Sequence, residues 1–219
     1  MKRCTPQSAP PSRTNAWYPP VKRGIDIALA AVGLVITAPL MAGIAIAVTR
    51  DSPGPVLFRQ QRVGRNGHPF TIMKFRTMTV PASGETHLAV SATGDTRVTR
   101  TGAWLRATKL DELPQLLNVL RGEMSLVGPR PEVPEWVEHW SPERAAVILS
   151  VRPGITDPAS IEFRNEGDLL ATVADPADYY VHTLLPRKTA RYVDYVRSAS
   201  LMSDLRILLA TVRAVLGRN

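Results

Sequence analysis

The 22 residues from Ile27 to Val48, IALAAVGLVITAPLMAGIAIAV, include no charged side chain. A helix needs roughly 20 such residues to cross a bilayer core, so the run is long enough to enter a membrane. Pro39 interrupts it. Proline has no N–H, so the Val35 carbonyl loses its helical donor and the ring crowds that turn. Thr37 is close enough to offer a hydroxyl to freed backbone groups, and irregular backbone at membrane depth must be re-satisfied. Two half-helices of about ten residues would each rise about 15 Å, enough to enter one leaflet and return. Both flanks are basic, with Lys22 and Arg23 before the run and Arg50 after it. Such residues prefer the cytoplasmic side. A single span satisfies one flank, whereas a re-entrant helix satisfies both. The pattern therefore predicts a re-entrant helix-break-helix over residues 21–50, with a kinked single span as the alternative. A secretory signal is disfavoured, because its apolar region runs roughly 7–15 residues and this run is longer and starts late.

The remaining pattern predicts a mostly helical α+β chain. Residues 1–20, with Pro6, Pro10, Pro11, Pro19 and Pro20, read as a disordered lead-in. Residues 56–63 and 69–78 are strand-like and flank Gly64-Arg65-Asn66-Gly67, a hairpin signal. Residues 80–98, rich in Ser, Thr, Ala and Gly, read as a mobile loop. Helical patterning resumes near 102. Leu113, Leu116, Leu117 and Leu120 share one helical face, and Gly122 is a stop. A further helix is expected over 134–150, with Trp136 and Trp140 one turn apart and packed. Residues 201–217 form an amphipathic helix that carries Arg206 and Arg213 among Leu205, Leu208, Leu209, Val212 and Leu216. It either packs on the domain or lies in the membrane interface. Residues 51–219 are expected to form a single catalytic domain.

Composition narrows the partners. Lys and Arg number 27 against 19 Asp and Glu, and the sequence pI is about 10.1. A basic chain suits nucleic acid, an anionic membrane surface or a phosphorylated substrate. No nucleic acid is expected: the basic residues are not interleaved with aromatics for stacking, and that reading leaves the apolar run unexplained. The one cysteine, Cys4, permits no internal disulfide, which fits a reducing compartment. The four histidines lack metal-ligand spacing.

The chemistry concentrates in Arg106-Ala-Thr-Lys-Leu-Asp111-Glu112-Leu-Pro114-Gln115. Thr108 followed by Asp111 fits a helix N-terminus; alternatively Pro114 marks the first turn. Either way the acidic pair lies near a helix start, and helix capping is the plain explanation of such a pair. The surroundings point further. Arg106 precedes the pair, and Arg130 and Arg152 follow in Gly128-Pro129-Arg130-Pro131-Glu132 and Arg152-Pro153-Gly154-Ile155-Thr156. Guanidinium groups on rigid Pro/Gly backbone match phosphate oxygens. Carboxylates with convergent arginines suggest a divalent cation bridging to a phosphorylated substrate.

At these residues the chain resembles the bacterial sugar transferases, the monotopic phosphoglycosyl transferases. The resemblance rests on Lys22-Arg23-Gly24-Ile25-Asp26, the Pro39 break, Gly54-Pro55-Val56-Leu57-Phe58, Gln61-Arg62-Val63-Gly64, Lys74-Phe75-Arg76-Thr77-Met78, Leu110 to Gln115, Ser125 to Glu132 and Arg152 to Thr156. It implies transfer of a sugar-1-phosphate from a UDP-sugar to a polyprenol phosphate, undecaprenyl phosphate, with release of UMP. It further implies Asp111 as nucleophile, Glu112 as its acidic partner with Mg2+ nearby, and Arg106 and Arg130 at phosphate-contacting positions. Arg76 and Arg152 fall in family motifs and are carried as further phosphate or nucleotide contacts. The implied fold places amphipathic interfacial helices around a site on the cytoplasmic face of the bacterial inner membrane, in contact with membrane lipids. One departure concerns recognition: after Thr156 many members continue with Gly and an Ala-Gln pair, whereas this chain reads Asp157-Pro158-Ala159-Ser160. The sequence does not name the sugar. A non-catalytic membrane adaptor is the competing class.

Overall fold

A computed structural model of the chain describes residues 18–80 and 95–217. The expected lead-in up to residue 17, and residues 81–94 of the expected mobile loop, lie outside them. Residues 18–20, also assigned to the lead-in, are helical. Helix α1 runs Tyr18–Asp51 as one element of 34 residues. Pro19 and Pro20 fall in its first turn, where a missing N–H has no partner to lose. The expected break at Pro39 does not split the element. The Thr37 hydroxyl donates to the Gly33 carbonyl at 2.7 Å, one turn back, and not to the Val35 carbonyl.

Helix α1 is docked on the body of the protein at both ends. Near its start, the Tyr18 hydroxyl and Lys22 Nζ donate to Asp204 Oδ2 at 2.9 and 2.7 Å. Arg23 donates to the Val119 and Leu120 carbonyls, and Asp26 accepts the Leu126 N–H. Ala30 packs with Phe70, Ile72, Val119 and Met124. Further along, Ile44 and Val48 pack with Phe75 and Leu105. Between these contacts Val32, Val35, Ile36 and Leu40 face outward. Val35 is 76% exposed and Ile36 69%, against 42% for Val21.

The hairpin forms as its pattern predicts. Strands β1 (Leu57–Val63) and β2 (Pro69–Phe75) pair antiparallel from Leu57↔Phe75 to Val63↔Pro69. Helices α2 (Arg100–Thr108) and α3 (Gln115–Arg121) follow. Gly122 ends α3 in the left-handed conformation, the expected stop. The most buried residues of α3 are Gln115, Asn118 and Val119. The leucine row is only partly buried: Leu116 and Leu120 pack at the edge of the cluster that holds Ala30 of α1.

Strands β3 (Ser125–Val127) and β4 (Gly154–Thr156) pair in parallel. The single helix expected over 134–150 is two, α4 (Pro134–Val137) and α5 (Pro142–Ile148). Ser141 accepts the Arg144 N–H and Pro142 takes the first helical position, so a new helix starts there. Trp140 enters a core with Ile148, Leu170 and Tyr192, and Trp136 lies 5.3 Å from the Tyr180 ring. Short helices α6 (Pro158–Glu162), α7 (Glu166–Ala171) and α8 (Pro176–Tyr179) lead through a wide π turn into α9 (Leu185–Ser198) and α10 (Leu201–Leu216). The result is mostly helical, with two small sheets among the described residues.

Candidate active site

The acidic pair sits on one tight turn, Leu110–Glu112, between α2 and α3. The sequence enforces that turn from both sides. Helix α2 ends at Lys109, a left-handed residue (φ 59°) whose N–H closes on the Leu105 and Arg106 carbonyls. Pro114 then opens α3, where its missing N–H is not needed. Thr108 therefore closes α2, its hydroxyl donating to the Trp104 and Leu105 carbonyls. It does not cap the next helix, and the Pro114 reading is the one the fold adopts.

The turn faces an open cavity of about 2130 Å3. A site for one small ligand is usually about 300–1,000 Å3, so there is room for more than one. Asp111, Glu112, Arg106, Arg130 and Lys74 all line it. Glu112 Oε1 accepts from Lys74 Nζ at 2.9 Å and from Arg130 Nη2 at 2.7 Å. Burial alone would raise the Glu112 carboxyl, but the charges and hydrogen bonds of Arg130 and Lys74 hold it well below the usual carboxylate range. Glu112 is therefore a fixed anion.

Asp111 has the opposite environment. It is buried, and its Oδ1 has no hydrogen-bond partner. Burial raises its carboxyl above the ordinary value, and the neighbouring Glu112 charge raises it further. Lys74, Lys109 and Arg130 pull the other way without cancelling the rise. An under-solvated carboxylate with an open oxygen is primed to bond a cation or an electrophile.

Arg106 reaches the cavity from α2, its Nε donating to Thr77 Oγ1 at 2.9 Å. Gly102 makes this possible: a Cβ there would lie 2.0 Å from the Thr77 carbonyl oxygen, so only glycine lets α2 settle on that backbone. Arg130 is carried by the loop after β3, which is tied to β4 where the Gly154 N–H meets the Pro129 carbonyl at 2.9 Å.

Two of the arginines are engaged elsewhere. Arg76 also borders the cavity, but its guanidinium donates to the Ser52 and Pro53 carbonyls at 2.6 Å each and to the Val48 carbonyl at 3.3 Å, completing the end of α1. Arg152 lies away from the cavity, with its Nε on the Gly122 carbonyl at the end of α3. Lys74, which sequence reasoning did not single out as a site residue, takes its place in the group. The available signals were its place in the Lys74-to-Met78 motif and a lysine between Met73 and Phe75 in a mostly apolar strand.

The segment that departs from the family pattern forms one wall. Asp157 is fully buried and caps α6, accepting the Ala159 and Ser160 N–H groups and the Ser160 hydroxyl. Beyond it, Arg164, Asn165 and Glu166 border the cavity.

The sequence model of the bacterial sugar transferase family matches residues 17–218. The chain belongs to this family. It is 43% identical over 198 residues to the UDP-glucose:undecaprenyl-phosphate glucose-1-phosphate transferase of Caulobacter vibrioides, covering 89% of this chain and 69% of that one. It is 40% identical to the enzyme of the same name from Xanthomonas campestris pv. campestris, covering 89% of this chain and 38% of that one. The UDP-N-acetylgalactosamine-undecaprenyl-phosphate N-acetylgalactosaminephosphotransferase of Aeromonas hydrophila is 37% identical, with 91% and 44% covered. The chain thus spans about two fifths of the latter two sugar transferases, in a stretch that includes the acidic turn and both strand pairs.

Proposed function

We propose that the chain is a membrane-bound phosphoglycosyl transferase that moves a sugar-1-phosphate from a UDP-hexose to undecaprenyl phosphate and releases UMP. The observation that carries this is the open Oδ1 of Asp111 in a cavity bordered by Lys74, Arg106 and Arg130. The names of its relatives, which pair UDP-glucose or UDP-N-acetylgalactosamine with undecaprenyl phosphate, supply the substrates.

The chemistry runs in two displacements. An Asp111 carboxylate oxygen bonds to the β-phosphorus of the donor, and the bond from that phosphorus to the bridging oxygen breaks, so UMP leaves with the electron pair. A phosphate oxygen of the acceptor then bonds to the same phosphorus, and Asp111 leaves as carboxylate. Dividing the transfer in this way splits one difficult step into two. Phosphoryl transfer needs mainly positioning and charge neutralisation, which Lys74, Arg106 and Arg130 provide. Glu112, held by Lys74 and Arg130, fixes the positions of both cations.

Mg2+ fits this donor set. Among the described residues no group of three or more His, Cys, Asp or Glu gathers, but Mg2+ is commonly held by one or two carboxylates plus substrate phosphates. Asp111 and Glu112 would hold it, and it would add neutralisation of the diphosphate charge.

A re-entrant seat for α1 brings the site to the lipid. Both ends of the helix dock on one body while Val35 and Ile36 point outward, which supports insertion of the middle without crossing. Cytoplasmic placement follows the basic flanks.

The test is UMP release by the purified chain with Mg2+ and UDP-glucose or UDP-N-acetylgalactosamine, with and without undecaprenyl phosphate. A phosphosugar adduct on Asp111, seen by mass spectrometry in the absence of acceptor, is expected. Release of UMP with no adduct at Asp111 would overturn the nucleophile, and no release with any UDP-sugar would favour the adaptor class. Cysteines introduced near residues 15 and 60 should both label from the cytoplasmic side.

A further inference from the structure

Helix α9 brings a buried cation to the cavity wall. Lys188 is only 5% exposed, yet it borders the space that Asp111 lines. Two carboxylates share it, with Nζ 3.7 Å from Glu132 Oε1 and 3.0 Å from Glu166 Oε2. The Glu132 side chain is 5% exposed, accepts from Tyr180 as well, and does not border the cavity. The Glu166 side chain is 26% exposed and does border it. Lysine thus fixes one oxygen of Glu166, and the other takes no hydrogen bond among the described residues.

Asn165 stands beside it. An asparagine at the start of a helix ordinarily accepts a backbone N–H. Asn165 holds that position before α7, but its side chain makes no such bond. It is exposed and borders the cavity. Phe163 adds an aromatic ring to the same wall, with the Arg187 guanidinium 5.1 Å from its centre.

This wall differs in chemistry from the acidic turn, where Lys74, Arg106 and Arg130 suit phosphate. A carboxylate repels phosphate but accepts charge-assisted hydrogen bonds from hydroxyl groups. A neighbouring amide both donates and accepts. A few placed polar groups beside an apolar surface match an uncharged ring that carries several hydroxyls. Because Lys188 holds Glu166 in place, little ordering remains to be done when such a ring arrives.

We infer that Glu166, positioned by Lys188, and Asn165 bind hydroxyl groups of the transferred sugar and set which UDP-sugar is used. This rests on the transferase reading and assigns one part of the donor to the wall between α6 and α7.

The experiment uses the full chain in detergent with Mg2+ and undecaprenyl phosphate, and measures UMP release from a panel of UDP-sugars. For the donor that the parent uses best, analogues that lack one sugar hydroxyl at a time are compared on the parent, Glu166→Ala, Glu166→Gln and Asn165→Ala. One analogue should lose about tenfold to hundredfold in kcat/KM on the parent. Glu166→Ala should lose a similar factor on the full donor and no further on that analogue, since the effects of groups in contact do not add. Glu166→Gln should fall between, and Asn165→Ala should behave likewise toward one hydroxyl. The ratio of kcat/KM between donors is read on one preparation, so a loss of folded protein does not move it. The inhibition constant of UMP should stay at the parent's value throughout. Equal losses on the full donor and on every analogue overturn the proposal. A matching rise in the UMP inhibition constant also overturns it, moving the contact to the ribose. If the parent releases no UMP from any UDP-sugar, the transferase reading fails and the sugar contact with it. UMP release with additive losses removes the contact alone.

Discussion

Two buried ionic clusters flank Arg130, and they differ in how completely their charges are matched. In the first, Glu112 takes Lys74 and Arg130, and Asp111 beside it keeps an open oxygen. In the second, the Tyr180 hydroxyl donates to Glu132 and accepts from Lys188, which also reaches Glu166. Arg62 stands 3.8 Å from Glu132. Every carboxylate of the second cluster has a partner. The second cluster ties β1 and the loop after β3 to α7, the π turn and α9; the first holds one anion fixed and leaves its neighbour available. A buried carboxylate oxygen with no partner, which among the described residues only Asp111 has, distinguishes the reacting group from the structural ones, since both clusters are charged and both are enclosed.

Asp111→Asn is the strongest test of that contrast. It should lower UMP release by about four orders of magnitude or more, as loss of a nucleophile does. It should also raise the thermal midpoint, because a carboxylate whose pKa is raised by folding opposes the fold once ionised. A variant that is both inactive and less stable would place Asp111 with the structural charges. Lys188→Met should behave in the opposite sense. It removes the cation shared by Glu132 and Glu166 and should cost about 3–5 kcal/mol of stability, read by denaturant unfolding, while the pH dependence of UMP release by the molecules that stay folded is unmoved. Glu112→Gln bridges the two cases: it should cost about 3 kcal/mol and also slow UMP release, because Lys74 and Arg130 lose the anion that positions them.

The pH dependence separates the neighbours further. Asp111 reacts as the carboxylate and its pKa is raised, so UMP release should fall as pH drops through a value above the ordinary aspartate range. The pKa of Glu112 is lowered, so its stabilising contribution is complete above the usual glutamate value and fades only in stronger acid. Activity should therefore decline on acidification before the fold does, which parallel rate and unfolding measurements would check. The smallest effect is expected at Arg152→Ala. It removes one hydrogen bond to a backbone carbonyl and should cost about 1 kcal/mol, with kcat unchanged.

The first cluster was largely legible in the sequence because its residues occur in short runs whose chemistry is local. Asp111 and Glu112 are adjacent, and Arg106 and Arg130 stand beside them or between prolines. The same rule does not tell that Arg76 and Arg152 reach backbone carbonyls. An arginine on rigid backbone satisfies a helix-end carbonyl as well as it does a phosphate, and only the fold shows which is within reach. The second cluster was not legible: Tyr180 is 48 positions from Glu132, and Lys188 is 22 from Glu166, with no periodicity joining them. The hairpin was readable from Gly64 to Gly67 because a turn is decided by adjacent residues. The division of α4 from α5 depended on Ser141-Pro142, a signal overridden by the apolar spacing of the two tryptophans.

The latch between α1 and Asp204 has a consequence in time. Lys22 and its partner are 182 positions apart. At ~5–20 residues per second of synthesis, Asp204 follows Lys22 by about 9–36 seconds. For that interval the amino end of α1 lacks the carboxylate that later fixes it. The order of assembly is therefore set: the amino end of α1 is latched only after α10 has been made.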